Sequence, residues 1–212
     1  MSQFNLQCQR CPRLSRHLHQ VKLDFPAYYA RPVPAFGDLS PRLLIVGLAP
    51  GLHGANATGR PFTGDYAGIL LYQTLYQFGF SSQNSSVSRD DNLTLDQCRI
   101  TNAVKCLPPA NKPLPLEIIT CNDYLKAEIQ ALAQPSVILA LGTIAHKAVV
   151  RALELKQSSF PFHHGTIHSL QNHHILVDSY HCSRYNTQTK RLTTAMFEQV
   201  FHQIKDLLKK WQ

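Results

Sequence analysis

The stretch from Arg42 to Leu71 constrains this chain more than any other. It opens with a short apolar run, Leu43-Leu44-Ile45-Val46, followed at once by turn formers. Such a run predicts a strand buried on both faces, as parallel sheets require. From Gly47 to Gly64 come five glycines and two prolines with few aliphatic residues. A loop of that length inside a compact domain is uncommon and usually functional. Asp65 then precedes a helical pattern carried by Ile69, Leu70 and Leu75. A carboxylate there can cap the orphan N–H groups of the first turn. Strand, glycine-rich loop and helix start together define a ligand site at the carboxyl end of a strand. Glycines allow a close backbone approach, and helix N-termini favour anionic groups. A nucleotide phosphate loop would need Lys-Ser/Thr after the glycines, or G-x-G-x-x-G, and neither is present.

The rest of the chain alternates strand and helix patterns. Further strands are expected at Arg99–Lys105 and Ser136–Leu141. A hairpin is expected from Thr166–Leu170 and His173–Ser179 around Gln171-Asn172. Helical periods run near Leu14–Val21, Asp65–Phe78, Leu116–Leu132, Thr143–Leu155 and Thr193–Trp211. Phe25–Asp38 reads as an extended connector and Ser81–Asn92 as an exposed loop. Leu107–Pro115 holds four prolines and is irregular. The alternation predicts an α/β fold of three layers, α/β/α, around a mostly parallel four-stranded sheet. At 212 residues, one domain spanning 1–212 is the simplest division.

Met1–Gln20 has no apolar core of signal-peptide length, and no apolar run is long enough to span a membrane. The expectation is a cytoplasmic protein. There, six cysteines point to metal or catalysis rather than disulfides. Cys8-x2-Cys11 and the distant Cys106-x14-Cys121 supply four thiolates. Four thiolates hold zinc tetrahedrally or an iron–sulfur cubane equally well, and the C-x-x-C pair alone also suits a redox dithiol. Cys98 and Cys182 lack partners at ligand spacing, and Cys98 is expected to pack as a small apolar residue. A net charge of +8 and a pI near 9.3 favour a polyanionic partner.

Gly47-Leu48-Ala49-Pro50-Gly51, with Gly59-Arg60-Pro61-Phe62-Thr63-Gly64-Asp65, resembles the first active-site motif of the uracil-DNA glycosylase superfamily. The likeness is to its iron–sulfur branches, families 4 and 5. Leu48 stands where family 4 typically carries Glu. His53-Gly54-Ala55-Asn56 and Thr63-Gly64-Asp65 resemble family 5 instead. Ser179 to Thr189 resembles the second motif, with His181, Ser183 and Asn186-Thr187 in order. Gln188-Thr189 and Arg191-Leu192-Thr193 continue as in family 5, while Cys182 replaces the usual Pro. The resemblance implies the uracil-DNA glycosylase fold and a [4Fe–4S] cluster on Cys8, Cys11, Cys106 and Cys121. It implies hydrolysis of the bond between uracil and deoxyribose, in base excision repair. Family 5 adds other deaminated bases, hypoxanthine and xanthine. The partner would be double- or single-stranded DNA, and the protein a monomer.

The residue types suit that reaction. Breaking a base–sugar bond leaves negative charge on the base and positive charge on the sugar. His181 can donate a hydrogen bond to the base oxygen as charge develops; alone, it would read as a buried structural histidine. Asn102 offers an amide to the base edge or caps its strand. Phe62 stacks on an extruded base or fills the core. Asp65 stabilises the sugar cation or orients water, besides capping its helix. Asn56 and His53 are alternative water holders, and Gly47, Leu48 and Ala49 border the base. Arg60, Lys105, Lys190 and Arg191 flank the motifs as phosphate contacts. The Cys182–Tyr185 tip, with Ser183, Arg184 and Asn186 beside Tyr185, would enter the minor groove. His163, His164, His168, His173 and His174 read as a surface hairpin. The rival is a non-catalytic nucleic-acid-binding module built on a four-cysteine zinc site.

Overall fold

The computed structural model describes residues 4–170 and 173–211. Its sheet has six strands in the order β1-β3-β2-β4-β6-β5. These are β1 (Phe36–Gly37), β2 (Leu43–Gly47), β3 (Cys98–Asn102), β4 (Val137–Leu141), β5 (Ile167–Ser169) and β6 (Ile175–Ser179). The inner four, β3-β2-β4-β6, are parallel and match the expected four-stranded centre. The edge strands β1 and β5 pair antiparallel. The two residues of β1 lie inside the stretch read as a connector, too short to leave a period. The expected β5–β6 hairpin forms, and its turn at Gln171-Asn172 lies outside the described residues.

Seven α-helices cover the sheet among the described residues: α1 (Pro12–Asp24), α2 (Ala55–Thr58), α3 (Tyr66–Gln77), α4 (Pro115–Gln130), α5 (Thr143–Ala152), α6 (Arg184–Gln188) and α7 (Thr194–Lys209). Strand side chains alternate between faces. Leu43 and Ile45 therefore pack with Leu71 of α3 and Phe197 and Phe201 of α7. Leu44 and Val46 pack on the other face with Leu125 of α4 and Val149 of α5. Every residue of β2 and β4 is buried, which is why their sequences are unbroken apolar runs. A third cluster joins Leu14, Leu18 and Val21 of α1 to Val104, Cys106 and Leu107, just past β3.

The register sets the site. Gly47 pairs with Asn102, and Leu141 with Ser179, so four parallel strands end along one edge. The short helices α2 and α6 interrupt stretches that read as loops. Ser183 starts α6 by accepting a hydrogen bond from the Asn186 N–H at 3.4 Å.

Candidate active site

The first motif folds by close approaches that only glycine permits. A Cβ on Gly47 would lie 2.6 Å from Phe62 Cζ and would also strike Asn102 Oδ1. Without it, the Phe62 ring lies across the end of β2, against Asn102. Phe62 holds a left-handed backbone at φ +54°. For a residue with a Cβ this costs about 1–2 kcal/mol, a strain that concentrates at functional sites. Its carbonyl packs against Gly68, where any side chain would collide.

Asp65 caps α3 as expected, its Oδ1 accepting the Gly68 N–H at 2.8 Å. The side chain rests on Gly54, where a Cβ would come within 2.6 Å of Asp65 Cβ. Burial raises its pKa above the usual carboxylate range, opposed by the Gly68 and Ala67 N–H groups. His181 follows β6 and stacks on Phe62, with ring centroids 5.9 Å apart and planes 26° apart. Burial pushes its pKa down to about 4, so the ring is a neutral imidazole near neutral pH. Phe62, Asp65, Asn102 and His181 line one cleft of about 540 Å3.

Leu48, Ala49, Ser183, Arg184 and Asn186 also line this cleft. Sequence reasoning missed Gly142-Thr143-Ile144, Asn111, Phe162 and Tyr180. The first group follows the carboxyl end of β4, the place where parallel sheets expose ligand-facing loops, so that rule could have found it. Phe162 and Asn111 come from irregular segments without a local signal. Tyr180 stacks on His164 at 4.9 Å and lies under the Arg191 guanidinium at 4.7 Å.

Several expected site residues sit elsewhere. Gly47 lies behind Phe62 rather than on the cleft surface. Asn56 is fully buried in α2 and does not line the cleft, and its Oδ1 has no protein partner. His53 is exposed and turns to the Tyr28 hydroxyl at 2.7 Å. Arg60 is no phosphate contact. It is 3% exposed, 2.5 Å from Asp91 and 2.9 Å from Thr63 Oγ1, tying the supposed exposed loop to the motif. Its charge draws the Asp91 carboxyl far below the ordinary range, against burial. Lys105 is likewise internal, bonded to Thr101 and to Glu128 at 2.8 Å. The expected groove-entering tip is divided. Cys182 is buried in the core near Asp65, its thiol pushed far up by burial, whereas Tyr185 is 71% exposed. Lys190 is exposed beyond the cleft lining.

The histidine run is not all surface. His168 and His174 are interior. His168 Nε2 and His146 Nδ1 meet the two oxygens of buried Asp178 at 3.1 and 2.7 Å. His146 Nε2 faces the Phe160 carbonyl at 2.8 Å. This bridge joins α5, β5 and β6 behind the cleft wall.

Cys8, Cys11, Cys106 and Cys121 line one tight cavity between α1, the exit of β3 and α4. The Lys105 N–H donates to Cys121 Sγ at 3.3 Å. Burial raises the Cys11 and Cys106 thiols, and raises Cys121 to about 11. Thiolates gathered there require a cation, so the donor set fits a metal centre. Cys98 packs in the core as expected.

Residues 34–205 match the Uracil DNA glycosylase superfamily, and the protein belongs to it. Within that class it is similar to the Type-5 uracil-DNA glycosylase of Thermus thermophilus, 45% identical over 205 residues. That alignment covers 94% of this chain and 93% of the relative. The Type-5 uracil-DNA glycosylase of Pyrobaculum aerophilum is 40% identical, over 91% of this chain and 85% of its own. The Type-4 uracil-DNA glycosylase of Archaeoglobus fulgidus is 29% identical over 78% of this chain and 70% of its own.

Proposed function

We propose that this protein is a monofunctional DNA glycosylase that removes uracil from DNA by hydrolysis, with hypoxanthine and xanthine as further substrates. What supports it most is the meeting of Phe62, Asp65, Asn102 and His181 in one cleft. An extruded base stacks on Phe62, and its polar edge pairs with the Asn102 amide. As the glycosidic bond breaks, negative charge gathers on the base oxygen and His181 donates a hydrogen bond to it. A neutral imidazole makes this donation without giving up its proton, and one preorganised donor contributes roughly 3 kcal/mol. The Asp65 carboxylate faces the positive charge on the sugar and orients the attacking water. Leu48 adds no second carboxylate. Among the described residues no lysine lines the cleft, which favours water over a Schiff base. The whole chain acts as one domain, as a monomer in the cytoplasm. Among the described residues, no helix is long and apolar enough to cross a membrane.

The four cysteines would hold a [4Fe–4S] cluster that pins the N-terminal segment and carries no step of the reaction.

Release of base from uracil-containing duplex DNA tests the reading, with His181→Ala and Asp65→Asn as controls. Abasic sites should form with the parent and fall steeply with either variant. Their absence with the parent overturns the assignment. A brown protein that loses its colour on oxidation identifies the cluster; a colourless zinc protein would reject it.

A further inference from the structure

The segment between Cys106 and Cys121 has a second feature besides its ligands. Pro108 to Pro113 arches to the cleft, where Asn111 joins the lining as an exposed residue. Ala110 and Asn111 are both left-handed, at φ +53° and +56°. Turns N–H(Asn111) to O(Pro108) and N–H(Lys112) to O(Pro109), both 3.1 Å, hold the arch. Its far foot is latched to α1. Arg13 donates to both Glu117 oxygens at 2.8 Å and to the Lys112 carbonyl at 3.1 Å. Glu117 in turn accepts the Leu114 N–H at 2.7 Å. The near foot begins at Cys106. A strained, proline-stiffened turn tied at both ends presents one amide to the cleft, with the exposed Lys112 next in the chain.

The amide has no role in the chemistry above, and the bases of a duplex lie inside the backbone that meets the rim first. Amide and ammonium donors at such a rim suit phosphate oxygens, which position a duplex without reading its sequence. We infer that Asn111, with Lys112 next to it in the chain, is a positioning contact to the phosphate flanking the extruded nucleotide, at the cleft that Arg184 also lines. This rests on the glycosylase reading above.

The test uses the full-length protein and a uracil-containing duplex, with and without a neutral methylphosphonate beside the uridine. Asn111→Gly removes the amide and keeps the left-handed turn. Asn111→Asp keeps the size and places a negative charge at the contact. Asn111→Gly should lower kcat/KM about tenfold, chiefly through KM. Asn111→Asp should lower it further, since a carboxylate repels phosphate. Lys112→Gln should reduce the salt slope of binding by about 1. At the correct linkage, the methylphosphonate should slow the parent but not Asn111→Gly. Equal losses in both proteins at every linkage, or an Asp variant as active as the parent, would overturn the contact. Fluorescence anisotropy on an uncleavable duplex reads the same contact without chemistry. A silent excision assay alongside weakened binding by Asn111→Gly would sink the glycosylase reading alone. Unchanged binding would sink the contact alone.

Discussion

The cleft and the four-cysteine corner are built from equally distant parts of the chain but held by opposite means. At the cleft, backbone does the holding. Gly47, Gly54 and Gly68 admit Phe62, Asn102 and Asp65 at distances no side chain would allow, and the pocket stays open to solvent. At the corner, side chains do the holding: the apolar face of α1, the Arg13–Glu117 pair and four thiols around a tight cavity. The cleft is thus preorganised without a ligand, at the expense of strain at Phe62 and a half-buried carboxylate at Asp65. The corner gathers thiols whose burial opposes ionisation, so its order depends on what they bind.

The contrast predicts that cleft substitutions change rate with little change in stability, and corner substitutions the reverse. The largest effect is expected from Cys121→Ser or stripping of the centre. Structural metal sites contribute folding energy directly, so melting should fall by more than about 10 °C. Excision per folded molecule at low temperature should persist; a kcat collapse there would erase the contrast. Next, Asp178→Leu should cost about 3–5 kcal/mol in denaturant unfolding, because His146 and His168 would lose a buried partner. That position borders the cleft wall, so it asks whether stability and rate separate by residue or merely by region. His181→Ala should lower kcat about 100- to 1000-fold with a near-parental melting curve.

The smallest stability effect that pH can reveal is expected from Asp65→Asn. Burial raises the Asp65 pKa, so folding is opposed by its ionised form above that value. The Asn variant still caps α3 but lacks the charge. It should be more stable than the parent at pH 8 and no different at acid pH where Asp65 is protonated, while losing activity. In the parent, kcat/KM should decline as pH falls through that raised value. A pH-independent acid side would remove Asp65 from the mechanism.

Sequence reasoning reached the parallel centre because β2 and β4 are buried on both faces and leave unbroken apolar runs. It also placed the Asp65 cap, since capping chemistry is local. It failed at Arg60 and Lys105, which look like surface cations in any local reading. Their partners, Asp91 and Glu128, lie 31 and 23 residues away. It failed likewise at Asn111 and Phe162, whose segments carry no period.

What the chain alone determined was the alternation of elements, the four candidate thiol ligands and the motif residues Phe62, Asp65, Asn102 and His181. The alternation and the Asp65 cap follow from periodicity and local chemistry written within a few residues, whereas Phe62, Asn102 and His181 stand out only through the resemblance to the glycosylase motifs. Which of the candidates face one another was decided only by the folded sheet. The pairing of Gly47 with Asn102 and of Leu141 with Ser179 carries strand ends from across the chain to one edge. Burial there then makes a neutral donor of His181 and a structural ion pair of Arg60. Charge state and accessibility depend on surroundings supplied by remote segments, and no window of sequence contains them.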